Sequence, residues 1–139
     1  MAFYSKNQPY NFFTISSSVS NHIKTGKTGE DIAYSFLAAN GHIILERNWR
    51  YRHLEIDIIS ETTDFIVFTE VKTRNIKNIT EPWRAVNKKK QLLLIRAANV
   101  YILRKKTTKE VRFDIISIII HPSGEPELEY IQDAFTALK

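Results

Sequence analysis

The chain contains no cysteine. This absence excludes disulfide bonds, thiolate zinc sites and a cysteine nucleophile, and it suits a reducing compartment. No apolar run approaches the length of a membrane span. Residues 1–10 also lack the basic start and continuous apolar core of a signal peptide. These absences predict a cytoplasmic protein with no membrane partner.

The length of 139 residues fits one domain with a sizeable core. Hydrophobic residues make up 43% and charged residues 25%, as in ordinary globular proteins. Residues 1–24 contain a serine run and aromatic residues without any period, so we expect a poorly ordered or peripheral extension there. The globular domain should then span residues 25–139.

Basic residues outnumber acidic ones, which gives a net charge of +5 and a pI near 9.5. They cluster in four groups: Arg47, Arg50 and Arg52; Lys72, Arg74 and Lys77; Lys88, Lys89 and Lys90; and Arg104, Lys105, Lys106 and Lys109. Such clusters favour polyanionic partners, above all nucleic acid. Lysine that serves only solubility explains the charge equally well, so charge alone leaves both interpretations open.

Helical periods indicate two helices. The first follows Thr28, a capping residue, and ends at Asn40 and Gly41, which are typical of a left-handed cap. The second should begin after Asn87 as N-cap and run to about Lys105. A lysine in its first turn, Lys90, opposes the helix dipole and suggests an anionic neighbour, although three successive lysines more often form a solvated edge.

Strand patterns fill the remaining chain. Residues 42–47 and 111–120 read as strands, the latter buried, while 128–131 should return as an edge strand and 133–135 should start a short turn. Residues 75–83 read as a loop, and Trp49 is expected to serve packing. With the central hairpin below, the order is helix, three strands, helix, two strands. This predicts an α/β fold with a mixed central sheet flanked by helices.

The hairpin consists of two runs rich in β-branched and aromatic residues, 54–60 and 65–74, around a polar turn. A turn centred between Thr62 and Thr63 would place Glu55 opposite Glu70 and Asp57 opposite Phe68.

Alternation along the strands then gathers Glu55, Asp57, Glu70 and Lys72 on one face. Asp57 and Glu70 become diagonal neighbours, at a spacing from which two carboxylates can share one hard cation. A simple cross-strand ion pair of Lys72 with either acid is the structural alternative.

Apolar residues occupy both faces of the hairpin, which predicts a central position covered on both sides. Ile56, Ile58, Phe65, Val67 and Val71 should share one face, and Ile59, Ile66 and Phe68 the other.

The order of an acid on the first helix, an aspartate on a strand and Glu-x-Lys on the next resembles the PD-(D/E)XK nuclease superfamily. Here these residues are Glu30, Asp57 and Glu70-Val71-Lys72.

A longer set of residues in fixed order covers about residues 25–135: Gly26, Gly29-Glu30, Ala33, Leu37, Gly41, Asn48-Trp49-Arg50, Glu55 to Ile59, Val67 to Arg74, Val86, Lys90-Gln91, Ala98, Tyr101, Arg112-Phe113-Asp114 and Ala134-Phe135. In these residues the chain resembles the YraN-type family, small bacterial proteins with an endonuclease-like fold. Leu54 departs from the pattern, since the family usually has glycine there, and could narrow backbone access beside the site.

The resemblance implies a restriction-endonuclease-like core in the order α-β-β-β-α-β-β and a metal-dependent endonuclease acting on DNA, including structured or branched DNA. Asp57 and Glu70 would bind Mg²⁺ or Mn²⁺ together with a backbone carbonyl such as that of Val71. Lys72 would orient water or stabilise the transition state, and Glu30 would hold a second ion or a water. A homodimer is compatible with this expectation.

Other polar residues receive lesser roles. Residues expected to contact nucleic acid are Arg50, Arg52, Arg74, Lys88, Lys89, Lys90 and Gln91. Glu55 is expected to bond Arg50 or Arg52, and Arg112 with Asp114 should form a structural pair. The alternative functions are a non-catalytic nucleic-acid-binding module that retains the nuclease fold, and a partner-docking protein with incidental charges.

Overall fold

Seven strands form one sheet in the computed structural model of the chain, which describes residues 3–4, 11–14, 29–75 and 86–137. The helices are α1 (Gly29–Ala39) and α2 (Lys88–Lys105). The strands are β1 (Phe3–Tyr4), β2 (Asn11–Thr14), β3 (Ile43–Tyr51), β4 (Leu54–Glu61), β5 (Phe65–Asn75), β6 (Glu110–Ile120) and β7 (Pro126–Phe135).

The strand order is β1-β2-β7-β6-β5-β4-β3, so β4 and β5 lie inside the sheet as predicted. Among the strands of the described residues, only β5 and β6 pair in parallel, and the chain between them contains α2. A parallel pair needs such a crossover, because a tight turn can join only antiparallel strands. From residue 29 the order is α-β-β-β-α-β-β, which confirms the predicted α/β fold with a mixed sheet between helices.

Helix α1 covers one face of the sheet. Its buried residues Ile32, Ala33, Phe36 and Leu37 recur at helical spacing and pack in one cluster with Ile58, Ile116, Ile118, Leu128 and Tyr130. The helix ends where predicted, since Gly41 has φ +87 and the N–H of His42 donates to the carbonyl of Leu37.

Helix α2 covers the other face. The side chain of Asn87 accepts a hydrogen bond from the N–H of Lys90 at 2.9 Å, which confirms the predicted N-cap. The stripe Leu94, Ala97, Ala98 and Tyr101 packs on the sheet around Phe68, Phe113 and Ile115. Neither helix of the described ranges is long and apolar enough to cross a membrane.

The register of the β4–β5 hairpin differs from the prediction by two residues. Its pairs run from Glu61–Ile66 to Ile58–Thr69, so the turn is centred one residue later than expected. Continuing this register sets Asp57 opposite Glu70, and the predicted pairs Asp57–Phe68 and Glu55–Glu70 are wrong.

The cause of the later turn is local. The N–H of Thr62 donates to the carbonyl of Phe65 at 2.9 Å, and the hydroxyl of Thr62 accepts the N–H of Phe65 at 3.1 Å. This double contact closes the turn at that pair. Because the shift is even, Asp57 and Glu70 still share a face.

Ile56 lies on the opposite side from the one predicted. It packs in the α2 cluster with Ile59, whereas Ile58 packs in the α1 cluster. The register of β3 and β4 sets Asn48 opposite Asp57, and Asn48 has the left-handed φ of 51. A left-handed residue kinks a strand and increases its twist, so the faces change at this position.

Strand β3 continues past residue 47 to Tyr51, further than predicted. Trp49 packs edge-on against Tyr101 with ring centroids 5.6 Å apart, in agreement with its predicted packing role. Of the predicted loop 75–83, Asn75 is the last residue of β5, and residues 76–83 lie outside the described residues.

Strand β7 differs from the prediction in two respects. It is not an edge strand, because β2 pairs with it, and residues 133–135 continue the strand rather than starting a turn. Asp133 has φ 53 and its N–H donates to Asp114, so the strand kinks there without ending. β1 and β2 come from residues 1–24, the predicted extension.

A buried polar network lies on the α1 face. Arg112 donates two hydrogen bonds to Asp114 at 2.9 and 2.8 Å, as a structural pair should. The hydroxyl of Tyr130 also donates to Asp114, and His42 Nδ1 lies 2.8 Å from the Ser60 hydroxyl. Burial lowers the pKa of His42. The charge of Asp114 raises this pKa and the charge of Arg112 lowers it, both by less than burial does. Arg112 thus neutralises the buried carboxylate of Asp114 within the fold.

The start of α1 touches β5 so closely that Gly29 has no room for a side chain. A Cβ on Gly29 would lie 1.9 Å from Thr73 Oγ1. We predict that Gly29→Ala lowers the free energy of unfolding by about 1–3 kcal/mol, measured by urea titration. In a Thr73→Ala background the loss should be less than half as large, because the clashing atom is gone. An equal loss in both backgrounds would contradict this contact.

Candidate active site

Asp57 lies where the β4–β5 ladder ends. The last paired residues are Ile58 and Thr69, and beyond them Asp57 Oδ2 accepts the N–H of Val71 at 2.8 Å. The Asp57 side chain therefore accepts the hydrogen bond of the Val71 N–H, so this backbone donor of β5 keeps a partner where the two strands separate. This bond fixes one carboxylate oxygen of Asp57 against the neighbouring strand.

Glu70 is the most unusual charged residue of this region, because only 5% of it is exposed. Its pKa is raised from 4.5 to about 7, first by burial, then by the charge of Asp57 and by a hydrogen bond between the two carboxyl groups. Lys90 and Lys72 lower it, and their ammonium groups each lie 3.7 Å from Glu70 Oε1. Burial and the like charge of Asp57 outweigh the two cations.

Lys90 reaches Glu70 from the first turn of α2. A cation at that end of a helix is unfavourable, and the sequence therefore predicted an anionic neighbour. Glu70 is that neighbour, which confirms the prediction. Lys72 forms an ion pair with Glu70, as the structural alternative predicted. The ammonium group that makes this ion pair is the same one to which the resemblance gives a catalytic role.

Glu30 lies in the first turn of α1, as predicted, but it does not form with Asp57 and Glu70 a group of three acids close enough to hold a metal ion. Gly29 abuts Thr73, whose side chain points to the face opposite that of Lys72. Across residues 29–75 and 86–137 no three His, Asp or Glu side chains are grouped closely enough to hold a metal ion. The structure thus gathers Asp57, Glu70 and Lys72, adds Lys90, and leaves Glu30 apart.

The predicted nucleic-acid contacts fall into two sets. Arg50 and Arg52 lie at the β3–β4 turn, where Arg50 pairs with exposed Glu55 at 3.0 Å and Arg52 stacks over the ring of Tyr51. The sequence predicted that Glu55 pairs with Arg50 or Arg52, and the structure shows the pair with Arg50.

The second set surrounds the start of α2. Lys88 and Lys89 are exposed, and Gln91 Nε2 donates to the carbonyl of Val86 at 3.0 Å. The exposed lysines therefore lie within one helical turn of Lys90, which itself contacts Glu70.

Arg74 belongs to neither set. Its Nη2 donates to Ser117 Oγ at 2.8 Å, and its charge lowers the pKa of Glu129, which burial raises. Sequence reasoning did not single out Ser117 or Glu129. The available signal was a polar residue inside the apolar run of β6 and an acid alternating with buried residues of β7.

This arrangement has a definite chemical capacity. Two carboxylates that repel one another attract a cation, and hard oxygen ligands suit Mg²⁺ or Mn²⁺. The two ammonium groups beside them attract an anion. A site that accepts a cation and an anion side by side suits a metal ion with a phosphate.

The raised pKa of Glu70 makes stability depend on pH. The folded protein binds more protons than the unfolded chain between pH 4.5 and about 7, so the free energy of unfolding should fall as pH rises through this window. The loss should be on the order of 3 kcal/mol in EDTA. Glu70→Gln should remove most of this slope in urea titrations at a series of pH values. An unchanged slope would show that Glu70 titrates normally.

The sequence is similar to the members of one described protein family. Residues 29–118 match the model of the family described as "Uncharacterised protein family UPF0102". The chain is 42% identical to a UPF0102 protein of Dictyoglomus turgidum over 83% of its own length and 99% of the relative's. It is 46% identical to one of Clostridium kluyveri, covering 79% of this chain and 92% of the relative. A relative from Flavobacterium johnsoniae is 42% identical over 84% of this chain and 98% of its own length. The chain therefore belongs to the uncharacterised protein family UPF0102, the YraN-type family that its sequence motifs indicated.

Proposed function

We propose that this protein is a metal-dependent nuclease that hydrolyses phosphodiester bonds in DNA, including branched DNA. The observation that carries the proposal is the buried carboxyl of Glu70, which contacts Asp57 and lies between Lys72 and Lys90. A structural ion pair requires neither the second acid nor the raised pKa. Strongly perturbed groups of this kind concentrate at functional sites.

The residues present fit a magnesium ion. Mg²⁺ commonly binds through one or two carboxylates, with water and substrate phosphate completing the octahedron. Asp57 and Glu70 would supply these two ligands, and a divalent cation would offset their mutual repulsion, which after burial is the second cause of the raised pKa of Glu70. When bound, the ion would lower the pKa of a coordinated water and offset charge on the phosphate.

The chain's own residues have separable roles in this proposal. Val71 fixes the orientation of Asp57 through the 2.8 Å hydrogen bond. Lys90 favours the ionised form of Glu70 and so keeps it ready as a ligand. Lys72 is partly exposed and can donate to a phosphate oxygen, which stabilises the charge that grows in the transition state.

DNA as the substrate is supported by the resemblance to the PD-(D/E)XK nucleases and by the basic surface. Exposed Lys88 and Lys89 extend the positive charge outward from Lys90 along the start of α2. Backbone phosphates contribute most of the affinity in such complexes. The basic β3–β4 turn offers a second contact.

A nucleic-acid-binding module without catalysis is the second candidate, and a specific observation favours it. Lys72 and Lys90 already balance the charges of Asp57 and Glu70 without any metal ion. In the described part of the chain, Glu30 also lies apart from that pair. The two candidates differ in their response to Asp57.

The decisive variant is Asp57→Asn, because asparagine keeps an oxygen for the Val71 N–H and removes the ligand charge. It should abolish cleavage of labelled linear, single-stranded and branched DNA in Mg²⁺ or Mn²⁺, while DNA binding in EDTA is kept or strengthened. Mg²⁺ should raise the melting temperature of the wild type and not of the variant.

Asp64→Asn is the matched control, since it makes the same change in the exposed turn of the same hairpin. It should cleave like the wild type. The nuclease proposal fails if the wild type cleaves no DNA in either metal, or if Asp57→Asn remains fully active. Retained binding in that case would favour the module.

Binding should depend steeply on salt, because phosphate contacts release counterions. Replacing both Lys88 and Lys89 with alanine should weaken binding of all DNA sequences alike and reduce the log–log salt slope by about 0.9 for each lost contact. Fluorescence anisotropy between low and moderate salt measures this slope. The double variant Lys105→Ala, Lys106→Ala, at the other end of α2, should leave the slope unchanged. Equal effects of the two double variants would remove the α2 start from the binding surface.

A further inference from the structure

Two arginines that lie far apart in the sequence meet on one aromatic ring. Arg104 lies in the last turn of α2, and its guanidinium carbon is 4.5 Å from the centroid of the Tyr51 ring. Arg52 lies in the β3–β4 turn, and its guanidinium carbon is 5.3 Å from the same centroid. Both groups stay charged at every physiological pH, so their proximity is unfavourable unless an anion lies nearby.

The protein supplies no anion for this pair within the part of the chain that the structure describes. Two neighbouring cations do have acidic partners, since Arg50 pairs with Glu55 at 3.0 Å and Lys105 with Glu46 at 3.9 Å. The two arginines on the ring form no such ion pair, and both of their side chains are exposed. Their charges can therefore attract an anion from solution.

Tyr51 gives the two guanidinium groups a firm support, because the ring is itself held by the core. It stacks on Trp49, with ring centroids 6.5 Å apart and an angle of 13° between the ring planes. Trp49 in turn packs edge-on against buried Tyr101. A cation–π contact uses the charge of a guanidinium and none of its five N–H donors. The ring thus restrains both arginines and leaves their donors for a ligand, which reduces the entropy lost on binding.

The two arginines lie on the β3 side of the carboxylate pair. The sheet order β5-β4-β3 places Glu70, Asp57 and Tyr51 on successive strands. Helix α2 crosses these strands, since Lys90 in its first turn contacts Glu70 and Arg104 in its last turn contacts Tyr51. The basic groups at the two ends of α2 therefore flank the carboxylate pair.

We propose that Arg52 and Arg104 together bind one backbone phosphate of the nucleic acid, on the β3 side of the carboxylate pair. The inference rests on the proposed function, which makes a nucleic acid the partner of this surface. A guanidinium matches phosphate oxygens with two parallel N–H donors, and one phosphate between two such groups offsets their repulsion. Tyr51 is the positioning residue that holds both arginines.

The test measures the binding of a labelled DNA duplex of about 12 base pairs, which at roughly 3.4 Å per base pair is longer than α2. Fluorescence anisotropy in EDTA gives the dissociation constant without turnover. Arg52→Gln and Arg104→Gln should each raise this constant about tenfold, the value of one charge-assisted hydrogen bond. The double variant should raise it less than about thirtyfold, because either single change already weakens the shared contact. Independent contacts would give about a hundredfold.

The salt dependence of binding shows how many phosphates are involved. The double variant should reduce the log–log salt slope by about 0.9, the value for one phosphate, whereas two separate phosphates would give about 1.8. Lys106→Gln is the matched control, because it removes one exposed charge from the same end of α2 and leaves the ring contacts intact. It should change neither the dissociation constant nor the slope.

Two changes at Tyr51 separate the role of the ring from that of the charges. Tyr51→Phe keeps the ring and should bind DNA like the wild type. Tyr51→Leu keeps both arginines but removes their support, and it should raise the dissociation constant about threefold. Thermal unfolding checks that each variant is folded. If Tyr51→Leu does not fold, the exposed arginine variants decide the test.

The outcomes distinguish this inference from the proposed nuclease activity. A wild type that binds DNA through Arg52 and Arg104 but hydrolyses none in Mg²⁺ or Mn²⁺ would contradict the activity and support the phosphate site. Arginine variants that bind like the wild type would overturn the site, whether or not the protein cleaves DNA. A double variant with a hundredfold effect and a slope change of about 1.8 would overturn the sharing of one phosphate. A wild type that binds no DNA at low salt would overturn both proposals.

Discussion

The hydrogen bond from the N–H of Val71 to Asp57 is the contact on which the arrangement of the site depends. It lies where the β4–β5 ladder stops, and it lets two strands part while keeping a backbone donor satisfied. The opposed carboxyl of Glu70 is thereby held against Asp57 rather than rotated into solvent. Burial raises the pKa of Glu70 most, and the nearby charge of Asp57 adds to this rise.

The general fold follows from sequence periodicity because each element has one dominant pattern. The 3.6-residue period of α1 and α2 and the two-sided apolar hairpin determine a mixed sheet between helices. The hairpin register was harder to predict. It depends on the hydroxyl of Thr62, which closes the turn one residue later than composition alone suggests. The left-handed Asn48 likewise changes the face of Ile56, and no apolar period encodes that kink.

The candidate site was predictable to the extent that its residues are close in sequence. Asp57, Glu70 and Lys72 were found from one hairpin, and Lys90 was linked to an anion by its unfavourable position in the helix dipole. Ser117 and Glu129 approach Arg74 only through the pairing of β5, β6 and β7. Glu30 shows the reverse case, because its place in the first turn of α1 was predicted correctly, whereas sequence spacing could not show that it forms no three-acid metal group with Asp57 and Glu70.

The two faces of the sheet place their charges differently, and this difference locates the functional surface. On the α1 face, Asp114 is enclosed by Arg112, Tyr130 and a backbone N–H, so its charge is neutralised inside the fold. On the α2 face, the apolar core ends near the first turn of α2, and the acids beyond it are balanced by cations that are partly exposed. Exposed cations can exchange a carboxylate for a phosphate, whereas the enclosed network cannot. The α2 face is therefore the one on which a phosphate can compete for these cations.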